Sequence, residues 1–180
     1  MNRIVFNGRF LSQPQTGVQR YARETLLALD ALLGRPDRPT LPPAVLATPR
    51  GSASLGLRHI ETVELAGFSG HLWEQVTLAR YCMDRRYDSL LVGFSYSGPI
   101  ALRRQIITIH DATVAAMPEA FSGRYRRVHR SLVGALRNRV AAIMTVSEFS
   151  RREIRRHYGI DASDLEALPF DPDQFDYDDA

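Results

Sequence analysis

Apolar positions along the chain fall into short runs separated by longer amphipathic stretches. Arg3–Asn7 is a brief apolar run closed by Gly8, which predicts a first strand. A loop over Arg9–Thr16 follows. From Gly17 onward Val18, Tyr21, Ala22, Thr25, Leu26, Leu29 and Leu33 recur at the three- and four-residue steps of a helix. Gly34, Pro36, Pro39, Pro42 and Pro43 then break it. Val45–Thr48 predicts a second strand and His59–Leu65 a weaker third. His71–Met83 predicts a helix with Leu72, Val76, Ala79 and Met83 along one side. Further strands are expected over Ser89–Gly93, Gln105–His110 and Ala142–Val146, and a last one over Leu165–Pro169. Helices are expected from Ser122 to Ala141 and from Glu148 to Tyr158. Ser147 stands where an N-cap belongs and Gly159 where a helix is closed by glycine.

Short strands alternating with helices predict an α/β fold: a Rossmann-like open parallel sheet with helices on both faces. That pattern covers residues 1–160 as one domain, and residues 161–180 read as an acidic linker. With 180 residues, 44% of them apolar, the chain suits one packed domain. Cys82 is the single cysteine, which excludes an intrachain disulfide framework and a cysteine-rich zinc site. The histidines show no ligand spacing, so no metal is expected. The N-terminal apolar run is shorter than the roughly 7–15 residues of a signal peptide. No stretch reaches the about 20 residues of a spanning helix. A cytoplasmic protein is expected.

All 23 basic residues are arginine. A Schiff-base lysine and a P-loop lysine are therefore excluded. The charge is also segregated. Residues 121–160 carry ten arginines against Glu148 and Glu153, and residues 161–180 carry seven aspartates and Glu166. In the helix predicted from Ser122, Tyr125, Val128, Leu132, Leu136 and Val140 form the apolar stripe. Arg124, Arg126, Arg127, Arg130 and Arg137 lie mostly off it. A solvated helix face accounts for this pattern; attraction to an anionic membrane is the next reading, and nucleic acid the third.

In open α/β sheets ligands bind beyond the carboxyl ends of the strands, and four segments fall there. Thr16–Gly17 with Arg20 opens the first helix, where amides carry partial positive charge suited to a phosphate; an ordinary βα turn accounts for the same residues. His110–Asp111 ends a strand, placing an imidazole where it can meet a substrate hydroxyl or be satisfied by a backbone carbonyl. Ser147 through Ser150 starts a helix facing the same side, with capping as sufficient explanation. Ser95, Tyr96 and Ser97 form a polar loop, either contacting an acceptor or simply turning the chain.

The order of these segments resembles family 4 (group 1) glycosyltransferases. The likeness is carried by Asn7-Gly8-Arg9-Phe10-Leu11, Thr16-Gly17-Val18-Gln19-Arg20, Leu72-Trp73-Glu74-Gln75, Gly98-Pro99, Thr108-Ile109-His110-Asp111-Ala112 with Pro118 and Phe121, and Thr145-Val146-Ser147-Glu148-Phe149-Ser150-Arg151. It spans roughly residues 3–159 and is strongest toward mannosyltransferase-like members that build bacterial surface polysaccharides. The resemblance implies the GT-B architecture, two Rossmann-like domains with the active site between them. The N-terminal domain mainly binds the acceptor and the other the nucleotide sugar. It implies transfer with retention of configuration and without a catalytic metal or other cofactor. It assigns His110 to the transferred sugar or acceptor as the catalytic position. Thr16, Gly17, Arg20, Asp111, Ser147 and Ser150 fall on the donor-phosphate and substrate side, and Ser95, Tyr96 and Ser97 on the acceptor side.

The expected partners are a nucleotide sugar and a glycan or lipid-linked acceptor, with peripheral contact at the inner face of an anionic membrane and no nucleic acid. Leu168–Phe175 resembles the entry to the second domain, with Phe170 in place of the usual glycine before the aspartate. The family's paired-glutamate motif is absent, so these 180 residues alone are expected to show negligible transfer. The rival expectation is a non-catalytic Rossmann-like module whose arginine face binds anionic lipid or nucleic acid.

Overall fold

The computed structural model describes residues 1–38 and 40–160, and the backbone of Leu165–Ala167. Seven strands form one sheet: β1 (Arg3–Asn7), β2 (Ala44–Pro49), β3 (Glu61–Leu65), β4 (Ser89–Val92), β5 (Gln105–Thr108), β6 (Ala142–Thr145) and β7 (Leu165–Ala167). Their order is β3-β2-β1-β4-β5-β6-β7 and every pairing is parallel. This is the Rossmann-like α/β sheet the alternation predicts. The remainder of the expected acidic linker, including 168–175, lies outside the described residues.

Alternate residues of β1 feed opposite faces, as the two-residue strand repeat requires. Phe6 packs with Ala22 and Leu26 of α1 (Gly17–Leu33), while Val5 packs with Trp73, Leu78 and Cys82 on the other face. A third cluster joins Ile107 and Ile143 of β5 and β6 to Val133 and Leu136 of one helix and Ile154 of another. Gly8 leaves β1 against the backbone of β2. A Cβ there would stand 2.6 Å from the Ala47 carbonyl oxygen, so the sharp exit requires glycine. The chain then makes a 3₁₀ turn over Gly8–Ser12 inside the expected loop.

Two helices depart from the expected periodicity. Residues 70–82 run as α2 (Gly70–Leu72), a π-helical stretch (Trp73–Leu78) and α3 (Ala79–Cys82). The amide of Ala79 donates to the Glu74 carbonyl five residues back. That wider turn shifts the buried side to Trp73, Glu74, Leu78, Ala79 and Cys82, leaving Leu72 and Met83 exposed. The expected side of Leu72, Val76, Ala79 and Met83 is thereby corrected. After α4 (Thr113–Ala116), α5 runs over Gly123–Leu136, five residues short of the expected end at Ala141. Its buried residues are His129, Leu132, Val133 and Leu136, so Tyr125 and Val128 leave the core stripe. Helix α6 (Glu148–Tyr158) has both expected caps: Ser147 Oγ accepts from the Ser150 amide, and Gly159 closes it at φ 61°.

Candidate active site

Strand order reverses between β1 and β4, since the chain first builds outward through β2 and β3 and then returns to the other side of β1. Such a switch point splays the loops that follow the two strands and leaves a crevice at their carboxyl ends. A cleft of about 380 Å³ opens there, lined by Thr16, Ser95, Tyr96, His110 and Asp111 among the expected residues. These come from three separate strand ends, brought together by the parallel sheet.

His110 follows β5, which the Ile109 amide ties to the Met144 carbonyl at 2.9 Å. The imidazole Nε2 lies 3.0 Å from the Phe94 carbonyl oxygen. A carbonyl only accepts, so Nε2 carries the hydrogen and Nδ1 keeps its lone pair in the neutral ring. Tyr21 of α1 meets the ring edge-on at 4.9 Å. Burial lowers the His110 pKa against the opposing pull of the Phe94 carbonyl and Asp111, which favours the neutral imidazole at physiological pH. Asp111 is exposed, and its Oδ1 accepts from the Thr113 amide at 2.8 Å, which starts α4.

The other expected residues are distributed unevenly. Thr16 is the N-cap of α1, and its amide donates to Gln19 Oε1 at 3.1 Å, half of a capping box. A Cβ on Gly17 would meet nothing within 4 Å, so glycine is not sterically required there. Arg20 is exposed on α1 and does not line the cleft. Ser147 and Ser150 bond to each other at 3.1 Å within the α6 cap, also outside the cleft lining. Ser97 is buried and does not line the cleft.

Ser97 belongs to a polar cluster set back from the strand ends. At its centre is Glu74, fully buried in the π-helical stretch. Its Oε1 accepts from Asn7 Nδ2 at 2.7 Å and from Ser97 Oγ at 3.1 Å. Its Oε2 lies 3.1 Å from His71 Nδ1 and 3.0 Å from Arg9 Nε. The Arg9 contact is an ion pair lying off the hydrogen-bond line, while Arg9 also donates through Nη2 to Ser97 Oγ at 3.2 Å. Burial pushes the Glu74 carboxyl up, but His71, Arg9 and Asn7 together outweigh it and hold the pKa below the ordinary value. A buried, ionised carboxylate is thus compensated on both oxygens. The adjacent Gln75 clamps the next loop: its Nε2 donates to the Gly98 carbonyl at 2.7 Å and its Oε1 accepts from the Ile100 amide at 3.0 Å. The signal for this cluster in the sequence is the Leu72-Trp73-Glu74-Gln75 motif, a Glu-Gln pair directly after the helix's one tryptophan.

The far wall is aromatic. Tyr96 lies 4.2 Å from the His129 ring, and Phe121 stacks on Tyr125 at 5.6 Å and 19°. Burial lowers the His129 pKa, with Asp111 opposing. Flat rings beside converging hydrogen-bonding groups suit a ligand with both apolar faces and hydroxyls. Among the described residues no three His, Cys, Asp or Glu side chains gather as metal ligands would. No helix among them is long and apolar enough to cross a membrane.

No curated protein sequence matches the chain significantly. The family model described as Glycosyltransferase Family 4 does match, over residues 16–169. The matched span begins at the cap of α1 and includes every strand end lining the cleft except that of β1. With that match over most of its length, on a parallel Rossmann-like sheet, the chain belongs to glycosyltransferase family 4.

Proposed function

We propose that the chain is the acceptor-side half of a retaining, two-domain GT-B glycosyltransferase. It acts on a nucleotide sugar, with mannose the first candidate, and a glycan or lipid-linked acceptor in surface polysaccharide synthesis on the cytoplasmic side. The observation that carries this reading is the convergence of Thr16, Tyr96, His110 and Asp111 on one cleft at the switch point. A second domain supplied by the natural polypeptide closes over that cleft and brings the donor. The bond from the anomeric carbon to the leaving diphosphate breaks, a bond to the acceptor oxygen forms, and the acceptor hydroxyl's proton passes to the departing diphosphate oxygen.

His110 acts in its neutral form. With Nε2–H tied to the Phe94 carbonyl, Nδ1 is left to receive a hydrogen bond from a sugar hydroxyl. The first-turn amides of α1, beginning at Gly17, supply partial positive charge toward the leaving phosphates. Ser95 and Tyr96 contact the acceptor, and no metal is needed. In the natural-length protein, His110→Ala lowers transfer by about 10²-fold without unfolding the domain. The check is radiolabelled sugar transfer alongside a thermal melt. Near-normal transfer by that variant removes His110 from the mechanism, and absence of transfer from any nucleotide sugar by the wild type removes the function itself.

A further inference from the structure

His71 is neither at a strand end nor within a segment that sequence reasoning assigned to the site, yet it lines the same cleft as His110. It sits in α2 one turn before Glu74, and its Nδ1 lies 3.1 Å from Glu74 Oε2. The carboxylate is buried and accepts only, so the ring's Nδ1 carries the hydrogen of that contact. Glu74 itself cannot turn away. Its other oxygen is held by Asn7 and Ser97, and Arg9 lies against the same oxygen that His71 uses. The π-helical turn makes this geometry by facing Glu74 and Gln75 inward together. A carboxylate behind a histidine settles which ring nitrogen is left for a ligand. In the neutral ring that nitrogen is Nε2, an acceptor, and Arg9 lines the cleft near it.

We infer that His71, oriented through Nδ1 by the buried Glu74, presents Nε2 as a hydrogen-bond acceptor for a hydroxyl of the sugar acceptor. The inference rests on the acceptor-side reading above and adds a second recognition point to it. The neighbouring charged and titratable groups are Glu74 on the same helical segment, Arg9 from the turn after β1, and Tyr96, whose ring centroid is 6.4 Å from that of His71. An acceptor flanked by a guanidinium donor matches a neutral hydroxyl, which can give one hydrogen bond and take another. His110 and His71 then hold opposite tautomers: Nε2–H for His110 and Nδ1–H for His71.

Two measurements test this. In the histidine-labelled 180-residue chain at pH 8, long-range proton–nitrogen correlation spectra show whether His71 Nε2 is unprotonated, as expected. A proton on Nε2 overturns the inference. In the natural-length protein, transfer from a panel of UDP- and GDP-sugars to octyl mannoside is compared among the wild type, H71N, H71Q and H110A. Asparagine keeps a group near the Nδ1 position for Glu74 but removes the Nε2 position; glutamine retains a polar group near Nε2. The expectation is about a tenfold rise in acceptor KM for H71N at nearly constant kcat and melting temperature, with H71Q closer to wild type. An unchanged KM in H71N while H110A loses transfer overturns the role of His71 and leaves the proposed function standing. A wild type inactive with every donor overturns that function, and the sugar-hydroxyl role with it.

Discussion

Two of the cleft imidazoles, His110 and His129, have pKa values lowered by burial. Between their folded values and the unfolded reference of about 6.5, the unfolded chain binds more protons than the folded one. Stability therefore rises with pH across that window and falls on acidification through it. Glu74 works in the same direction at lower pH. Its lowered pKa contributes stability that is complete above the ordinary carboxylate range and is lost as pH falls through its folded value. Thermal melts should thus be level from pH 8 to 7, decline from about 6.5 downward, and decline further where Glu74 protonates. His129→Phe should flatten the upper part of this decline, because the buried ring beside Tyr96 no longer has to stay uncharged. An identical profile in that variant would locate the acid sensitivity elsewhere. His110 was legible as a residue of interest because a β-branched run points straight at it. Glu74 stood out only as part of the Leu72-Trp73-Glu74-Gln75 motif, with no role attached, because nothing in a linear pattern reveals that Asn7, Arg9, His71 and Ser97 will surround it.

At the level of elements, capping is the part most plainly written in the chain. Ser147 accepts from the Ser150 amide, Glu148 occupies the first turn of α6, and Arg155, Arg156 and His157 occupy its last. Each placement favours a helix that starts and stops where it does. Ser147→Ala should cost about 1 kcal/mol of stability, read as a shift in the urea midpoint with an unchanged slope. A loss much smaller than this would mean that the Ser147–Ser150 pair does little as a cap. The π-helical stretch is the opposite case. Leu72, Val76, Ala79 and Met83 satisfy a 3.6-residue period, yet the wider turn places Trp73 and Leu78 in the core. Trp73 is held by its indole nitrogen donating at 3.1 Å to the carbonyl of Leu65, at the end of β3 eight residues earlier. Helix α5 also ends early, at Leu136, and the chain passes through Arg137–Val140 before β6 begins at Ala142. Val140 belongs to that turn, yet its amide still donates to the Leu136 carbonyl at 3.1 Å and its side chain packs on the core cluster of Val133 and Leu136, as the stripe expects.

Over the whole molecule, the arginine face and the cleft share one helix. Arg124, Arg127 and Arg130 of α5 are exposed together with Tyr125 and Val128, and Tyr125 also lines the cleft. An anionic surface would attract this face at about 1 kcal/mol per arginine near it. We propose accordingly that the chain adheres to vesicles containing phosphatidylglycerol and that adhesion drops several-fold when salt is raised. Co-sedimentation at two salt concentrations reads this directly, and salt-independent or absent adhesion would remove the membrane from its partners. The sheet itself follows from local information. Seven short runs, apolar except at the edge strands β3 and β7 and separated mostly by amphipathic helices, have few ways to pair except in parallel with both faces covered. Strand positions, helix caps, the exclusion of lysine chemistry and the strand-end location of His110 were thus determined by neighbours within a few residues. The tertiary structure decided what depends on distant partners. It turned Glu74 inward to join β1, the 3₁₀ turn and the loop after β4, separated Ser147 and Ser150 from the cleft lining, and brought His71 and His129 to the cleft. Periodicity reports which side of an element is buried. A buried charge is tolerated only where other segments supply its hydrogen bonds, and that is a property of the assembled sheet alone.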